Sequence, residues 1–148
     1  RDIYVVTPPF HLSIFVVNRA ESIIKEEQLK EPLVGGHSLG GVAACRFVKN
    51  NQASRLFLFA SYCDKDISQS EVAVVSLMGE RDRILDRENY EDARSHLPSD
   101  AVIREVEQVN HADFGQYGYH DGDAPSRVSE ERVVSLMREA FRTLESLK

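Results

Sequence analysis

One serine in this chain lies in a setting that suits nucleophilic chemistry. The apolar pair Leu33-Val34 leads into Gly36-His37-Ser38-Leu39-Gly40, which matches the pattern G-x-S-x-G, and a run of small residues follows. In that pattern the serine occupies a sharp turn between a buried strand and a helix, where its hydroxyl stands clear of the backbone. Gly36 and Gly40 are expected to provide the space that such a turn needs. Ser38 is therefore the candidate nucleophile for attack on a carbonyl carbon.

The same glycine-rich turn has a second interpretation, as a loop before a helix that binds a phosphate group or nothing. The turn lacks the lysine of a P-loop, and its glycines do not fit the spacing G-x-G-x-x-G of dinucleotide-binding proteins. The sequence therefore favours the nucleophile over the phosphate loop.

A serine becomes an effective nucleophile when a base removes its proton. His111 is the candidate base, because a histidine has a pKa near ~6.5 and can take and return a proton. Asp82 is the candidate acid, which would hold the histidine tautomer and stabilise the imidazolium. The backbone N–H of Leu39, next to the nucleophile at a helix start, would donate to the developing oxyanion.

Other polar residues compete for the same roles. Asp64 also follows a predicted strand and is a rival for the acid position, whereas Asp113 is too close in sequence to His111 to be the first choice. The segment His120-Asp121-Gly122-Asp123 has no partner set elsewhere and is interpreted as a solvated loop, so no metal and no cofactor is expected. Three histidines receive no role: His11, His37 and His96.

Apolar runs that alternate with helical periodicity predict the elements that would position these groups. Strands are predicted at Ile3–Val6, Leu33–Val34, Arg55–Ala60, Val72–Leu77 and Ala101–Val109, and helices at about His11–Leu29, Val42–Lys49, Asp86–Leu97 and from Ser129 onward. This alternation predicts an α/β fold with a mostly parallel sheet flanked by helices on both faces, and Ala101–Val109 as an edge strand. Ser38, Asp82 and His111 each follow a strand, so the fold would bring them to one rim of the sheet.

The composition is that of an ordinary globular domain. The chain has 148 residues, 42% hydrophobic and 28% charged, which fits one domain over residues 1–148. The net charge of −6 and the absence of a basic cluster argue against a nucleic-acid partner. Cys45 and Cys63 form no C-x-x-C pair and are expected to be buried free thiols. No apolar run approaches the ~18 residues of a membrane span.

Three blocks of the sequence resemble a known family. Gly35–Gly41, Gly79–Asp82 and Asn110–Gly118 are similar to the nucleophile, acid and histidine blocks of serine hydrolases of the α/β-hydrolase superfamily, in the carboxylesterase-like, dienelactone-hydrolase-related branch. The resemblance implies Ser38, Asp82 and His111 as a catalytic triad and a small-molecule acyl ester as substrate. Dienelactone hydrolases themselves have cysteine where this chain has Ser38. Haloalkane dehalogenases and epoxide hydrolases have aspartate there, so their chemistry is disfavoured.

The front of the chain departs from that family pattern. Such folds have about three strands before the one predicted at Ile3–Val6, and one of them lies beside the strand that leads to the serine. Because the chain begins without methionine and enters an apolar run at once, we expect residues upstream of Arg1. We also expect residues 1–148 to hold only one of the two backbone N–H donors that form an oxyanion hole. Ile3–Val6 would then pair directly with Leu33–Val34, or a second copy would supply a strand to the open sheet.

The chemistry that such a chain would perform has two alternatives to ester hydrolysis. The same triad could act on thioesters or amides, and the fold also occurs in binding proteins that have lost their chemistry. These binding proteins usually lack a triad member, and here all three candidates are present.

Overall fold

A four-stranded parallel sheet forms the centre of the molecule, for which we describe residues 3–6, 17–50 and 53–147 of a computed structural model. The strands lie in chain order, β1-β2-β3-β4. Their bounds are Leu33–His37 for β1, Arg55–Phe59 for β2, Ala73–Gly79 for β3 and Val102–Val106 for β4. Every residue of β3 is buried, as expected for a central strand covered on both faces.

Helices cover both faces of this sheet, as the sequence predicts. On one face α1 (Val17–Glu26) and α2 (Leu39–Asn50) contribute to an apolar cluster with alternate residues of β2 and β3. On the other face α4 (Glu130–Ser146) packs against the remaining side chains of β2 and β3. A short helix α3 (Arg87–Asp92) continues into a 3-10 turn at Ala93–His96.

Two of the helices begin at a polar residue whose side chain caps the first turn. The Asp86 side chain accepts a hydrogen bond from Asn89 N and caps α3. Ser129 caps α4, since its side chain accepts a hydrogen bond from Arg132 N. The apolar stripe of α4 faces the core: it comprises Val133, Leu136, Met137, Ala140, Phe141 and Leu144.

The prediction of a buried strand at Ile3–Val6 is wrong for the described chain. These residues form no strand, and the side chains of Ile3 and Val5 are 87% and 85% exposed. A strand needs a neighbour that satisfies its backbone groups, and Ile3–Val6 pairs with none of the described strands, so the outer side of β1 has no partner among the described residues. The expected direct pairing with Leu33–Val34 is therefore not formed, and β1 is an edge strand.

Several predicted bounds differ from the observed ones. The helix predicted from His11 is described only as α1, because residues 7–16 lie outside the described part. Helix α2 begins at Leu39, directly after the serine, three residues before the predicted start. Strand β4 ends at Val106, three residues before the predicted end, and Gln108 follows with a φ of 67°.

The two cysteines are not free thiols, contrary to the prediction. Cys45 of α2 and Cys63, in the segment after β2, form a disulfide with their Cα atoms 5.3 Å apart. Both residues are buried. The sequence separation of 18 residues gave no sign of this pairing, because the parallel sheet brings the two segments together only in the folded chain. Among the described residues no helix is long and apolar enough to cross a membrane.

Candidate active site

Ser38 occupies a sharp turn between β1 and α2. Its backbone has a φ of 54°, in the left-handed region that non-glycine residues rarely adopt. Ser38 N donates to Phe59 O over 3.0 Å, and Ser38 O accepts from Gly41 N at 3.0 Å and from the Ser61 hydroxyl at 2.7 Å. These three bonds hold a strained backbone in place from two sides. The strand and the following helix thus fix where the Ser38 side chain leaves the chain.

The glycines around Ser38 differ in what they do. A Cβ on Gly36 would lie 2.5 Å from the carbonyl carbon of Gly40, and one on Gly41 would collide with the Ser61 side chain. No described atom lies within 4 Å of a Cβ placed on Gly40. The turn therefore needs Gly36 and Gly41 for space, whereas the expectation that Gly40 is needed for the same reason is wrong.

Asp82 lies just past the end of β3 and is held by the turn that follows. Its Oδ1 accepts hydrogen bonds from Ile84 N at 2.9 Å and from Leu85 N at 2.8 Å. Although burial by itself would raise the pKa of this carboxyl group, the hydrogen bonds from His111, Leu85 and Ile84 outweigh it and lower the pKa below the ordinary value of 3.8. Asp82 is therefore ionised at neutral pH.

His111 lies against Asp82 on the rim of the sheet. Its Nδ1 is 2.8 Å from Asp82 Oδ2, and the two side chains are 2% and 0% exposed. A carboxylate can only accept, so Nδ1 carries the proton and Nε2 is the nitrogen that can serve as a base. The structure thus brings two of the three predicted groups into direct contact.

The third group, Ser38, makes no hydrogen bond to His111 between the described side chains. Such contacts are often long in the absence of substrate and shorten when it binds. Leu39 is the first residue of α2, and its N–H donates to no other described residue. This N–H is therefore available to a ligand beside Ser38.

His37, for which no sequence pattern predicts a role, is the residue that links β1 to His111. Its Nε2 lies 3.0 Å from His111 O, and the two rings have centroids 4.7 Å apart. On its other side the His37 ring faces Tyr117, at 5.7 Å between centroids. The position before the serine in the pattern G-x-S-x-G was the only signal that could have indicated this residue.

Asp64, the rival candidate for the acid position, is paired with an arginine and not with His111. Asp64 Oδ2 accepts from Arg46 Nε at 2.9 Å and from Arg46 Nη2 at 2.6 Å, on the face of the sheet that α2 covers. Asp113 caps the histidine loop, since its Oδ2 accepts from Asn110 N. In the described structure, neither carboxylate accepts a hydrogen bond from His111.

The interpretation of the segment from His120 to Asp123 as a solvated loop is only partly right. Asp123 is buried, and its carboxylate accepts hydrogen bonds from the backbone of Arg83, Ala112 and Ala124. It therefore ties the loop of His111 to the loop of Asp82. In the described part of the chain, no group of three or more His, Cys, Asp or Glu side chains has the geometry of a metal site.

A cavity of about 470 Å³ lies between β4 and α4. Its lining includes Arg104, Val128 and Leu136, and none of the residues around Ser38. We give it no part in the chemistry of the site, because Ser38, Asp82 and His111 do not line it.

Solved structures with the same fold are known. The chain is similar to a CIB-like hydrolase from Thermoplasma acidophilum, with a TM-score of 0.63 at 13% identity over 86% of this chain and 58% of that one. It is similar to an alpha-beta serine hydrolase homologue from Coxiella burnetii, with a TM-score of 0.63 at 12% identity over 88% and 58%. A monoacylglycerol lipase from Paleococcus ferrophilus gives a TM-score of 0.60 at 14% identity over 88% and 75%. The chain thus spans less than two thirds of the first two structures.

The comparison of sequences agrees with the comparison of structures. No curated protein matches the chain. A model of the alpha/beta hydrolase family, however, matches residues 1–135, nearly the whole chain. With the parallel sheet, the helices on both faces and the serine turn between β1 and α2, this match places the chain in the alpha/beta hydrolase family.

Proposed function

We propose that this protein is a serine hydrolase that cleaves carboxylic-ester-type bonds through an acyl-Ser38 intermediate. The observation that carries the proposal is the buried hydrogen bond of 2.8 Å between His111 Nδ1 and Asp82 Oδ2, at the rim of the sheet where Ser38 follows β1. A buried ionised carboxylate on a histidine nitrogen leaves the opposite nitrogen as a base. The family fold and the strained turn at Ser38 support the same assignment.

The first half of the reaction forms the acyl-enzyme. His111 Nε2 takes the proton of the Ser38 hydroxyl as Oγ attacks the ester carbonyl carbon, and the carbonyl oxygen becomes an oxyanion. The Leu39 N–H donates to that oxyanion. The tetrahedral intermediate collapses when the C–O bond to the alcohol breaks and His111 passes its proton to the departing oxygen. Asp82 stabilises the imidazolium between these two transfers.

The second half of the reaction releases the acid. A water molecule gives a proton to His111 Nε2 and its oxygen attacks the acyl carbon, which regenerates the oxyanion at Leu39 N–H. When this intermediate collapses, the bond to Ser38 Oγ breaks and Oγ recovers the proton from His111. The products are a carboxylic acid and an alcohol, and no cofactor takes part.

A non-catalytic binding protein is the alternative that one observation favours. The described hydrogen bonds of Ser38 do not include one to His111, and a protein without chemistry has no need to keep that contact. Thioesterase and amidase chemistry would use the same groups and differ only in the leaving atom.

A fluorophosphonate probe separates these alternatives, because it reacts with a serine only when that serine is activated. We expect the purified protein to be labelled at Ser38, as located by peptide mass spectrometry, and Ser38→Ala to be unlabelled. Ser126→Ala is the matched control, since Ser126 is exposed and its hydroxyl is hydrogen-bonded, among the described residues, only to the backbone of Val128. Absence of labelling in the wild-type protein would favour the binding protein.

A panel of p-nitrophenyl esters, acyl thioesters and anilides then identifies the bond that is cleaved. We expect turnover of short esters to exceed that of matched anilides with the same acyl group. A preference for thioesters or anilides would retain Ser38, Asp82 and His111 but change the substrate class.

A further inference from the structure

The hydrogen bond between His37 and His111 joins the strand of the nucleophile to the loop of the base. His37 is the last residue of β1 and the immediate neighbour of Ser38, and its Nε2 lies 3.0 Å from the backbone oxygen of His111. A carbonyl oxygen can only accept, so the proton lies on His37 Nε2. The bond sets the separation between two segments that are 74 residues apart in sequence.

The His37 ring also fills the space beside the His111 ring. The two ring centroids are 4.7 Å apart with the planes tilted by 55°. The segment after His111 also approaches the His37 ring. A Cβ on Gly115 would lie 3.2 Å from His37 Cε1, and the ring centroids of Tyr117 and His37 are 5.7 Å apart. His37 is therefore held between the loop of His111 and the segment that follows that loop.

The surroundings keep His37 uncharged. Its pKa is lowered from 6.5 to about 4, chiefly by burial and next by the charge of a protonated His111, although the hydrogen bond to His111 O and the Asp82 carboxylate act in the opposite direction. His120 also lowers the pKa of His37. A neutral donor can hold the His111 backbone without repelling the imidazolium that His111 becomes during the reaction.

We infer that His37 is a positioning residue, whose Nε2–H bond to the His111 carbonyl holds the backbone of His111 beside the strand that leads to Ser38. The inference rests on the proposed hydrolase function and deepens it. Asp82 fixes the tautomer of the His111 ring from one side, while His37 fixes the backbone that bears the ring from the other side.

Two substitutions at His37 separate its hydrogen bond from its bulk. His37→Gln keeps a side-chain N–H donor, and His37→Phe keeps a flat ring without the donor. For a p-nitrophenyl ester we expect kcat of His37→Phe to fall roughly 10- to 100-fold at nearly unchanged KM, because misplacement by about 1 Å has costs of this order. We expect His37→Gln to retain kcat within about threefold of the wild type, since it keeps the bond on which the positioning rests.

His96 provides the matched control, because its Nδ1 makes the same kind of bond to Cys63 O, at 2.8 Å. His96→Phe removes this bond, which lies away from the site. We therefore expect it to change the free energy of unfolding and to leave kcat unchanged. Equal loss of kcat in His37→Phe and His37→Gln, or full kcat in His37→Phe, would overturn the inference.

A second measurement does not depend on activity. The proton on His111 Nδ1, bonded to Asp82, should give a low-field NMR resonance, identified by its loss in His111→Gln. We expect this resonance to shift or broaden in His37→Phe and to be retained in His37→Gln and His96→Phe. An unchanged resonance in His37→Phe overturns the positioning role. If the resonance changes in His37→Phe but fluorophosphonate does not label the wild-type protein, the positioning role is supported and the hydrolase function is contradicted.

Discussion

Asp82 and Asp64 both follow a strand of the sheet, and their side chains meet different partners. Asp82 accepts from His111 Nδ1, whereas Asp64 is paired with Arg46. We predict that Asp82→Asn lowers kcat by about 10⁴, because an amide can donate to Nδ1 and thus favours the wrong histidine tautomer. Ester turnover, with circular dichroism to check the fold, measures this effect.

Asp64→Asn is the control for that substitution. It weakens the bond to Arg46 and should leave kcat unchanged. If Asp64→Asn removed activity while Asp82→Asn had little effect, the assignment of the acid would be wrong.

The lowered pKa of His37 predicts how stability depends on pH. An unfolded chain binds a proton at this histidine below about pH 6.5, while the folded protein does so only near pH 4. The free energy of unfolding should therefore fall as the pH drops from 6.5 to 4. The contribution of Asp82 is present above pH 3.8 and is lost below it, because the pKa of its carboxyl group is lowered in the folded state.

Urea unfolding at pH 7.0, 5.5 and 4.5 tests this prediction with His37→Gln as the reference. The variant lacks the titrating group, so its free energy of unfolding should fall less over this range than that of the wild type. Parallel curves for the two proteins would contradict the lowered pKa of His37.

At the scale of residues, the sequence could indicate groups by position but could not give their contacts. Strand ends and the resemblance of three sequence blocks predict Ser38, Asp82 and His111, and the structure joins the last two directly. The bond from His37 to His111 and the disulfide of Cys45 and Cys63 link segments that are distant in sequence. No local pattern encodes such links, because they exist only once the sheet has formed.

At the scale of elements, the turn between β1 and α2 depends on two close approaches, of the Gly40 backbone to Gly36 and of the Ser61 side chain to Gly41. We predict that Gly36→Ala destabilises the protein by about 1–3 kcal/mol, as overpacking does, because its Cβ would meet the backbone of Gly40 and Gly41. Gly40→Ala should be neutral or stabilising by up to ~1 kcal/mol, since its Cβ meets open space at a helix start.

Thermal or urea unfolding of the two variants measures this difference, and fluorophosphonate labelling reports whether the turn still presents Ser38. Equal destabilisation by both substitutions would show that the space around Gly40 is filled.

Periodicity predicted the central elements well and the outer ones poorly. The strands β2 and β3 are nearly continuous apolar runs, and α4 has a regular apolar stripe, so their positions follow from pattern alone. Ile3–Val6 has an equally strong apolar pattern and forms no strand. The reason is that a strand depends on a neighbouring strand, which the pattern of one segment does not contain.

At the scale of the whole molecule, the two edges of the sheet are unequal. Strand β4 carries Arg104 and Glu105, which pair with Glu139 and Arg87 across its surface. Charged side chains of this kind discourage the addition of another strand. Strand β1 has no Lys, Arg, Asp or Glu, and no strand pairs with its outer side among the described residues.

We propose that β1 pairs with β1 of a second copy, which is the homo-oligomer expected from the open sheet. A two-fold symmetric dimer would align the two strands antiparallel about Gly35. Ser38 N donates to Phe59 O of β2, so the strand alternation turns the amides of Val34 and Gly36 towards β2. The amides of Leu33, Gly35 and His37 then face the open edge and are the ones that a second copy would bind.

Hydrogen–deuterium exchange at rising protein concentration tests this pairing together with the mass in solution. We expect the amides of Leu33, Gly35 and His37 to exchange more slowly as the concentration rises, in step with an increase in mass by sedimentation velocity. The amides of Val34 and Gly36 serve as internal controls, because they are bonded to β2 in monomer and dimer alike. A monomeric mass with unchanged exchange at Leu33, Gly35 and His37 across the range would show that the outer side of β1 does not bind a second copy.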